Sequence, residues 1–159
     1  MISIRKTMLA AASLFALAGG AYGASDWLTG STDDKLKTLA ELQPGLGTVM
    51  MEYSTRYTNM YYAAKGGNWD LAAYQHKEAL EIQEVGETTR PARAAGLKAF
   101  ETAYLVPLDA AIKAKDFGAF EKTFKEGIQG CNGCHAAQGF PFIKYSLPSA
   151  PPAPLSMEP

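Results

Sequence analysis

One helical face near the end of the chain constrains the fold more than any other feature. Its positions recur at intervals of three and four residues, which is the spacing of one side of an α-helix. They are Phe117, Phe120, Phe124, Ile128, Cys131 and His135. Because the face continues without a break into the cysteine motif, Cys131 and His135 are predicted to face the core, with Cys134 on the adjoining edge. The core and the candidate site are therefore expected to share one helix.

Three earlier segments show the same helical spacing. The first runs from Leu46 to the glycines of residues 65–68, since glycines suit a helix C-terminus. The second runs from Trp69 to Gly86, with Asn68 or Asp70 as its cap. The third is predicted to begin after a turn at 86–92. A shorter helix is predicted before Pro44.

The third predicted helix contains two prolines with different expected effects. Thr89 is expected to cap it and Pro91 to lie in its first turn, where a missing N–H costs little. Pro107 lies inside the helix and is expected to kink it.

Turn length then gives the fold class. The turns between the four longer helices are short, which favours antiparallel neighbours, and no segment shows a sustained strand alternation. The sequence predicts an all-α chain with one domain over residues 24–140, an antiparallel four-helix bundle.

The N-terminal residues read as an export signal. Arg5 and Lys6 precede an apolar run of eleven residues, 8–18, and small residues follow at Ala21 and Gly23. A cleaved signal peptide is predicted over 1–23, so the mature protein would be periplasmic and would not span a membrane. The apolar run is shorter than the roughly 20 residues that a spanning helix needs. An uncleaved anchor or a buried helix is the alternative.

The C-terminal tail, residues 141–159, contains six prolines. Proline in this density excludes a helix and favours extended, partly polyproline II chain. We expect Phe140, Phe142 and Ile143 to pin its start to the body, and the last ten residues or so to be mobile.

Cys131, Cys134 and His135 form a Cys-x-x-Cys-His motif, "CNGCH". This spacing is the attachment motif of haem c, because two thiols one helical turn apart add to the two haem vinyls and the next imidazole reaches the iron. One covalent haem with His135 as proximal ligand is predicted. A zinc site would need more ligands, and a thioredoxin-type pair would lie near strands. A disulfide across so short a loop would contribute little stability.

The four predicted helices, with this motif on the last, resemble the cytochrome c′ group of four-helix-bundle cytochromes c. The resemblance covers residues 46–139, and at the level of single residues only Cys131, Cys134 and His135 match. One departure is that 24 residues follow His135, where that group usually stops after a few. The stretches "GGNWDLAAY" and "CNGCHAAQGFPFI" are also similar to a family of small uncharacterised exported cytochromes c.

The other axial position of the iron is open at this point. The resemblance implies either a five-coordinate iron or a methionine ligand from the first helix of the bundle. Met50 lies on the inner face of that helix, and His76 lies at the edge of the inner face of the next. Met50 as ligand, no protein ligand and His76 as ligand are all retained, beside plain core packing for the methionine.

These observations predict an electron carrier rather than an enzyme. The chain has no Ser-His-Asp set, no glycine loop for phosphate and no convincing carboxylate pair. Its net charge of −1 and lack of a basic stripe argue against a nucleic-acid partner. Redox proteins of unknown identity are the expected partners, and a homodimer is left open. The alternative function is a five-coordinate haem protein that binds NO or CO, or has weak peroxidase activity.

Overall fold

The computed structural model of this protein describes residues 27–152 and 155–159. All regular secondary structure in these residues is helical, which confirms the predicted all-α class. The predicted signal peptide, 1–23, lies outside the described residues. No helix within them is long and apolar enough to cross a membrane.

The chain divides into two compact units, Met1–Leu42 and Gln43–Pro159. The described part of the first unit contains α1, Thr32–Glu41, the short helix predicted before Pro44. A capping box begins it: the Asp34 amide donates to the Ser31 hydroxyl, and the Ser31 amide donates to the Asp34 carboxylate.

The second unit contains the longer helices. They are α2 (Leu46–Lys65), α3 (Trp69–Thr89), α4 (Pro91–Phe100), a π-helical segment (Glu101–Leu105), α5 (Val106–Ala114) and α6 (Phe117–Ala137). As predicted, α2 ends at Gly66 and the Asn68 side chain caps α3 by accepting from the Leu71 amide. Asp116 caps α6 in the same way, accepting from the Ala119 amide.

The predicted turn at 86–92 is tighter than expected. Helix α3 continues to Thr89, whose hydroxyl donates to the Val85 carbonyl of its own helix and caps nothing. Arg90 is the only residue between α3 and α4, and its guanidinium donates to the carbonyls of Gln43 and Pro44. The prediction of Thr89 as a cap was therefore wrong, because these contacts hold the reversal at Arg90.

A π-helical segment, Glu101–Leu105, lies just before Pro107 in its helix. The Val106 amide donates to the Glu101 carbonyl, five residues back, which makes a π-helical turn. A proline lacks an N–H and its ring crowds the carbonyl four residues earlier. The wider π turn directly before Pro107 accommodates both effects.

The helices of the second unit pack side by side, and each neighbouring pair runs antiparallel. Pairs of contacting residues show the direction, because the number rises along one helix as it falls along the other. These pairs are Arg56–Glu78 and Val49–Gly86, Gln83–Leu97 and His76–Leu105, Tyr61–Phe120 and Tyr57–Phe124, and Gly96–Cys134 and Tyr104–Gly130.

The core between these helices is filled by large side chains. The largest fully buried apolar ones are Tyr57, Met60, Leu105, Leu108, Phe120 and Phe124. Of the predicted face of α6, Phe120 and Phe124 are fully buried, while Ile128 and Cys131 are half-buried and pack against the core from its edge. The cysteine motif therefore lies at the end of the core rather than at its centre.

The tail runs back from the end of α6 along α2 to the turn between α2 and α3. The Tyr145 hydroxyl bonds to the Thr58 hydroxyl, the Tyr62 hydroxyl donates to the Pro148 carbonyl, and the Asn68 amide group donates to the Glu158 carbonyl.

The residues that anchor the tail differ from those predicted. Phe140, Phe142 and Ile143 are exposed. The tail residues that pack against the core are Tyr145, Leu147 and Met157. The side chains that bond to the tail, those of Thr58, Tyr62 and Asn68, lie along α2 and in the turn after it. Contrary to expectation, the described residues 155–159 are thus attached to the helices.

Candidate functional site

The three residues of the motif lie on the last two turns of α6 and are all partly buried. The side chain of Cys131 packs against the core. The Sγ atom of Cys134 lies beside α4, 3.8 Å from the position that a Cβ on Gly96 would take. Both cysteines are free thiols. The helix therefore presents Cys131 towards the core and Cys134 towards α4.

Two glycines bring tyrosines close to α6 just before the motif. A Cβ on Gly127 would overlap the Tyr57 hydroxyl, and a Cβ on Gly130 would overlap the ring of Tyr104. The Tyr57 hydroxyl donates to the Phe124 carbonyl at 3.2 Å and the two rings stack at 4.2 Å. The absence of side chains at these two positions allows the rings to press against the helix backbone.

Burial controls the ionisation of the groups around Cys131. It raises the pKa of the Cys131 thiol to about 12, with the nearby Cys134 adding to the effect. The thiol is therefore protonated and neutral at physiological pH. Burial also raises the pKa of Tyr53, and an electrostatic interaction with Cys131 adds to that rise.

The Tyr53 hydroxyl is buried and has no hydrogen-bond partner among the described residues. A buried donor without a partner is unusual in a protein core, because a buried donor whose hydrogen bond is not made costs about 1–3 kcal/mol of stability. Since this hydroxyl lies near Cys131, the unsatisfied donor belongs to the surroundings of the motif.

The imidazole of His135 is held by the start of the tail. Its Nδ1 lies 2.9 Å from the Ile143 carbonyl oxygen, and a carbonyl only accepts, so Nδ1 carries the proton. With the proton on Nδ1, the tautomer leaves the lone pair on Nε2, and the described residues offer Nε2 no hydrogen-bond partner. This is the state of a histidine ready to bind a metal through Nε2.

The register of α2 against α6 places Met50 level with the motif. Tyr61 contacts Phe120 and Tyr57 contacts Phe124, so a step of four residues towards the start of α2 corresponds to four residues further along α6. Seven residues before Tyr57 this register reaches Met50, which corresponds to Cys131, seven residues after Phe124. Met50 is half-buried and packs against the same core as Cys131.

His76 lies elsewhere. It is buried in α3, and its Nε2 bonds to the Leu105 carbonyl at 2.9 Å. Its ring borders an open hollow lined by residues of α3, the π segment and α5, among them Glu101 and Asp109, and by none of α6. The structure therefore brings Met50, and not His76, to the level of the cysteines.

The donor set at the end of α6 fits a covalently attached haem. Two free thiols lie one turn apart, and the adjacent imidazole is bonded through Nδ1, which leaves Nε2 free. Within the residues described, no three His, Cys, Asp or Glu side chains lie close enough together to hold a metal ion.

Two residues of the site, Asn132 and Tyr145, were not predicted from the sequence. Asn132, inside the motif, bonds through its side chain to the backbone of Tyr145 at two points. The only sign in the sequence that the tail has a structural role was the length of chain after His135.

Comparison with protein families, with curated proteins and with solved structures found no match.

Proposed function

We propose that this chain is an exported monohaem c-type cytochrome that transfers electrons. Helices α2, α3, α4–α5 and α6 would form a four-helix bundle, with haem c attached through Cys131 and Cys134 on its fourth helix. His135 would be the proximal ligand and Met50 the ligand on the other side. The observation that supports this most directly is the hydrogen bond from His135 Nδ1 to the Ile143 carbonyl.

This hydrogen bond matters because it decides which nitrogen of His135 is available. Histidines that bind metals usually donate their other N–H to a carbonyl or carboxylate, which fixes the tautomer and makes the ligating nitrogen more basic. A surface histidine without this role has no need of such a partner. Together with the Cys-x-x-Cys-His spacing, it supports an iron ligand at Nε2.

The residues of the chain provide attachment and exclusion of water. When bound, the haem supplies the iron that cycles between ferric and ferrous states. Cys131 and Cys134 would hold the haem, because each thiol would add across one vinyl group, with the sulfur bonding to one vinyl carbon and the proton to the other, so that no oxidant would be needed. The aromatic rings of Tyr53, Tyr57 and Phe100 pack together in the core against which Cys131 lies, and they would shield that side of the motif from water.

Met50 is the favoured second ligand for a structural reason. It lies level with the motif on the helix that faces α6, whereas the Nε2 of His76 is already bonded to the Leu105 carbonyl. A thioether ligand favours the ferrous state and would raise the potential. Such a pair of protein ligands, His135 and Met50, would suit an electron carrier.

One observation favours the alternative function. The unpartnered Tyr53 hydroxyl is a buried donor near Cys131, and such a donor can stabilise a small polar ligand on iron. If Met50 does not bind, the protein would be a five-coordinate haem protein that binds NO or CO, or has weak peroxidase activity.

Covalent attachment gives the decisive test. The protein is produced in an exporting host with an active haem-ligation system, and haem is extracted with acidified organic solvent. We expect the haem to stay with the wild-type protein and to be lost from the Cys131→Ala/Cys134→Ala variant, while Met51→Ala, an exposed change on α2, keeps it. Wild-type protein without covalent haem, or a double variant that retains it fully, contradicts the proposal.

A further inference from the structure

Asn132 holds the tail at two points. Its Nδ2 donates to the Tyr145 carbonyl at 3.0 Å, and the Tyr145 amide donates to its Oδ1 at 2.7 Å. An amide side chain that pairs with both backbone groups of one residue fixes that residue in position and orientation. Asn132 is the first of the two residues between the cysteines, so the tail is clamped to the motif itself.

The clamp lies two residues from the carbonyl that His135 uses. Ile143, whose carbonyl accepts from His135 Nδ1, has an exposed side chain, and its amide donates to the Phe140 carbonyl at 3.0 Å in the turn before it. Tyr145 is held on its other side as well, because its hydroxyl bonds to Thr58 at 2.8 Å and its ring meets the Tyr57 ring edge-on. The position of the Ile143 carbonyl therefore depends on this turn on one side and, on the other, on how firmly Tyr145 is fixed.

We propose that Asn132 is a positioning residue for His135, and that residues 143–145 form a strap through which it acts. The proposal rests on the haem function proposed above. By fixing Tyr145, Asn132 keeps the Ile143 carbonyl on His135 Nδ1, which fixes the tautomer and makes Nε2 a stronger electron donor. A stronger donor favours ferric iron, so the intact strap lowers the reduction potential.

The rest of the tail is attached independently of this clamp. Tyr62 bonds to the Pro148 carbonyl, and Asn68 bonds to the Glu158 carbonyl. Loss of the clamp should therefore loosen residues 143–145 while the far end stays docked. Tyr62→Phe, which removes one of the far bonds, serves as a matched control on the same tail.

The test uses the full-length holoprotein in four forms: wild type, Asn132→Ala, Thr58→Val and Tyr62→Phe. Covalent haem content is measured first, then the midpoint potential, then the hydrogen-exchange rate of the Tyr145 amide. We expect Asn132→Ala to raise the potential by up to about 59 mV, the one-electron equivalent of a tenfold change in the equilibrium constant. Thr58→Val should raise it less, and Tyr62→Phe should leave it unchanged.

Each outcome decides the question. Faster Tyr145 exchange with an unchanged potential in Asn132→Ala overturns the inference, and so does an equal rise in all three variants, which would indicate general loosening. If Asn132→Ala fails to attach haem, Thr58→Val decides, because it lies outside the motif. Wild-type protein without covalent haem overturns both proposals, whereas normal haem with no shift overturns this one alone.

Discussion

Gly127 of α6 lies directly beside the Tyr57 hydroxyl, which donates to the Phe124 carbonyl of the same helix. A methyl group at position 127 would overlap that oxygen. Its next contacts, the Tyr57 Cζ at 3.4 Å and the Tyr104 Cβ at 3.6 Å, are ordinary van der Waals distances. The hydroxyl is therefore the only atom that prevents alanine at this position, which makes the effect of Gly127→Ala reversible by a second substitution.

The magnitudes follow from this geometry. Alanine is preferred over glycine inside a helix by about 1 kcal/mol, whereas overpacking a filled core costs about 1–3 kcal/mol. Tyr57 is fully buried and stacked, so its ring has no free space to move into, and we expect Gly127→Ala to destabilise the fold by about 2 kcal/mol net. Tyr57→Phe should cost about 1 kcal/mol for the lost hydrogen bond. In the double variant the overlap is gone, and its stability should return to near wild type.

The assay is urea unfolding followed by far-ultraviolet circular dichroism, with the free energy of unfolding extrapolated to water. Gly133→Ala is the control, because nothing lies within 4 Å of its new Cβ and the change tests helix propensity alone. We expect the control to be neutral or more stable by up to about 1 kcal/mol. If the Gly127→Ala and Tyr57→Phe effects simply add, the Tyr57 hydroxyl does not limit position 127 and this reasoning is refuted.

Two further predictions concern the iron and the tyrosines. Met50→Ala should convert a low-spin haem to high-spin, lower its reduction potential and open a site for CO, while Met51→Ala and His76→Ala should change little. Absorption spectra recorded with and without CO check this. A wild-type protein that is already high-spin would favour the gas-binding function. Burial raises the pKa of Tyr57, and raises that of Tyr145 to about 12. Since unfolded tyrosine titrates near 10, their stabilising effect is complete below pH 10 and is lost as the pH rises towards 12. Unfolding followed during an alkaline titration at 295 nm should begin above pH 10; stability that is flat from pH 9 to 12 would contradict it.

Local sequence determined the helices and their ends. Side chains spaced by three and four residues, together with the caps at Asn68 and the glycines at 66–67, need only neighbouring residues to act, so α2 and α3 begin, and α2 ends, where they were predicted. The motif residues were also visible from sequence alone, because the spacing of Cys131, Cys134 and His135 is a property of one helical turn.

The tertiary structure decided the features that depend on distant residues. Arg90 reverses the chain by bonding to the carbonyls of residues 43 and 44, which a local pattern does not show. The π segment before Pro107 and the attachment of the tail through Tyr145, rather than through the more hydrophobic Phe142, likewise depend on what packs beside them. The partner of His135 Nδ1 is a backbone carbonyl, and every residue has one. Sequence therefore names Cys131, Cys134 and His135, but only packing decides that the Ile143 carbonyl is the one that accepts from His135 Nδ1.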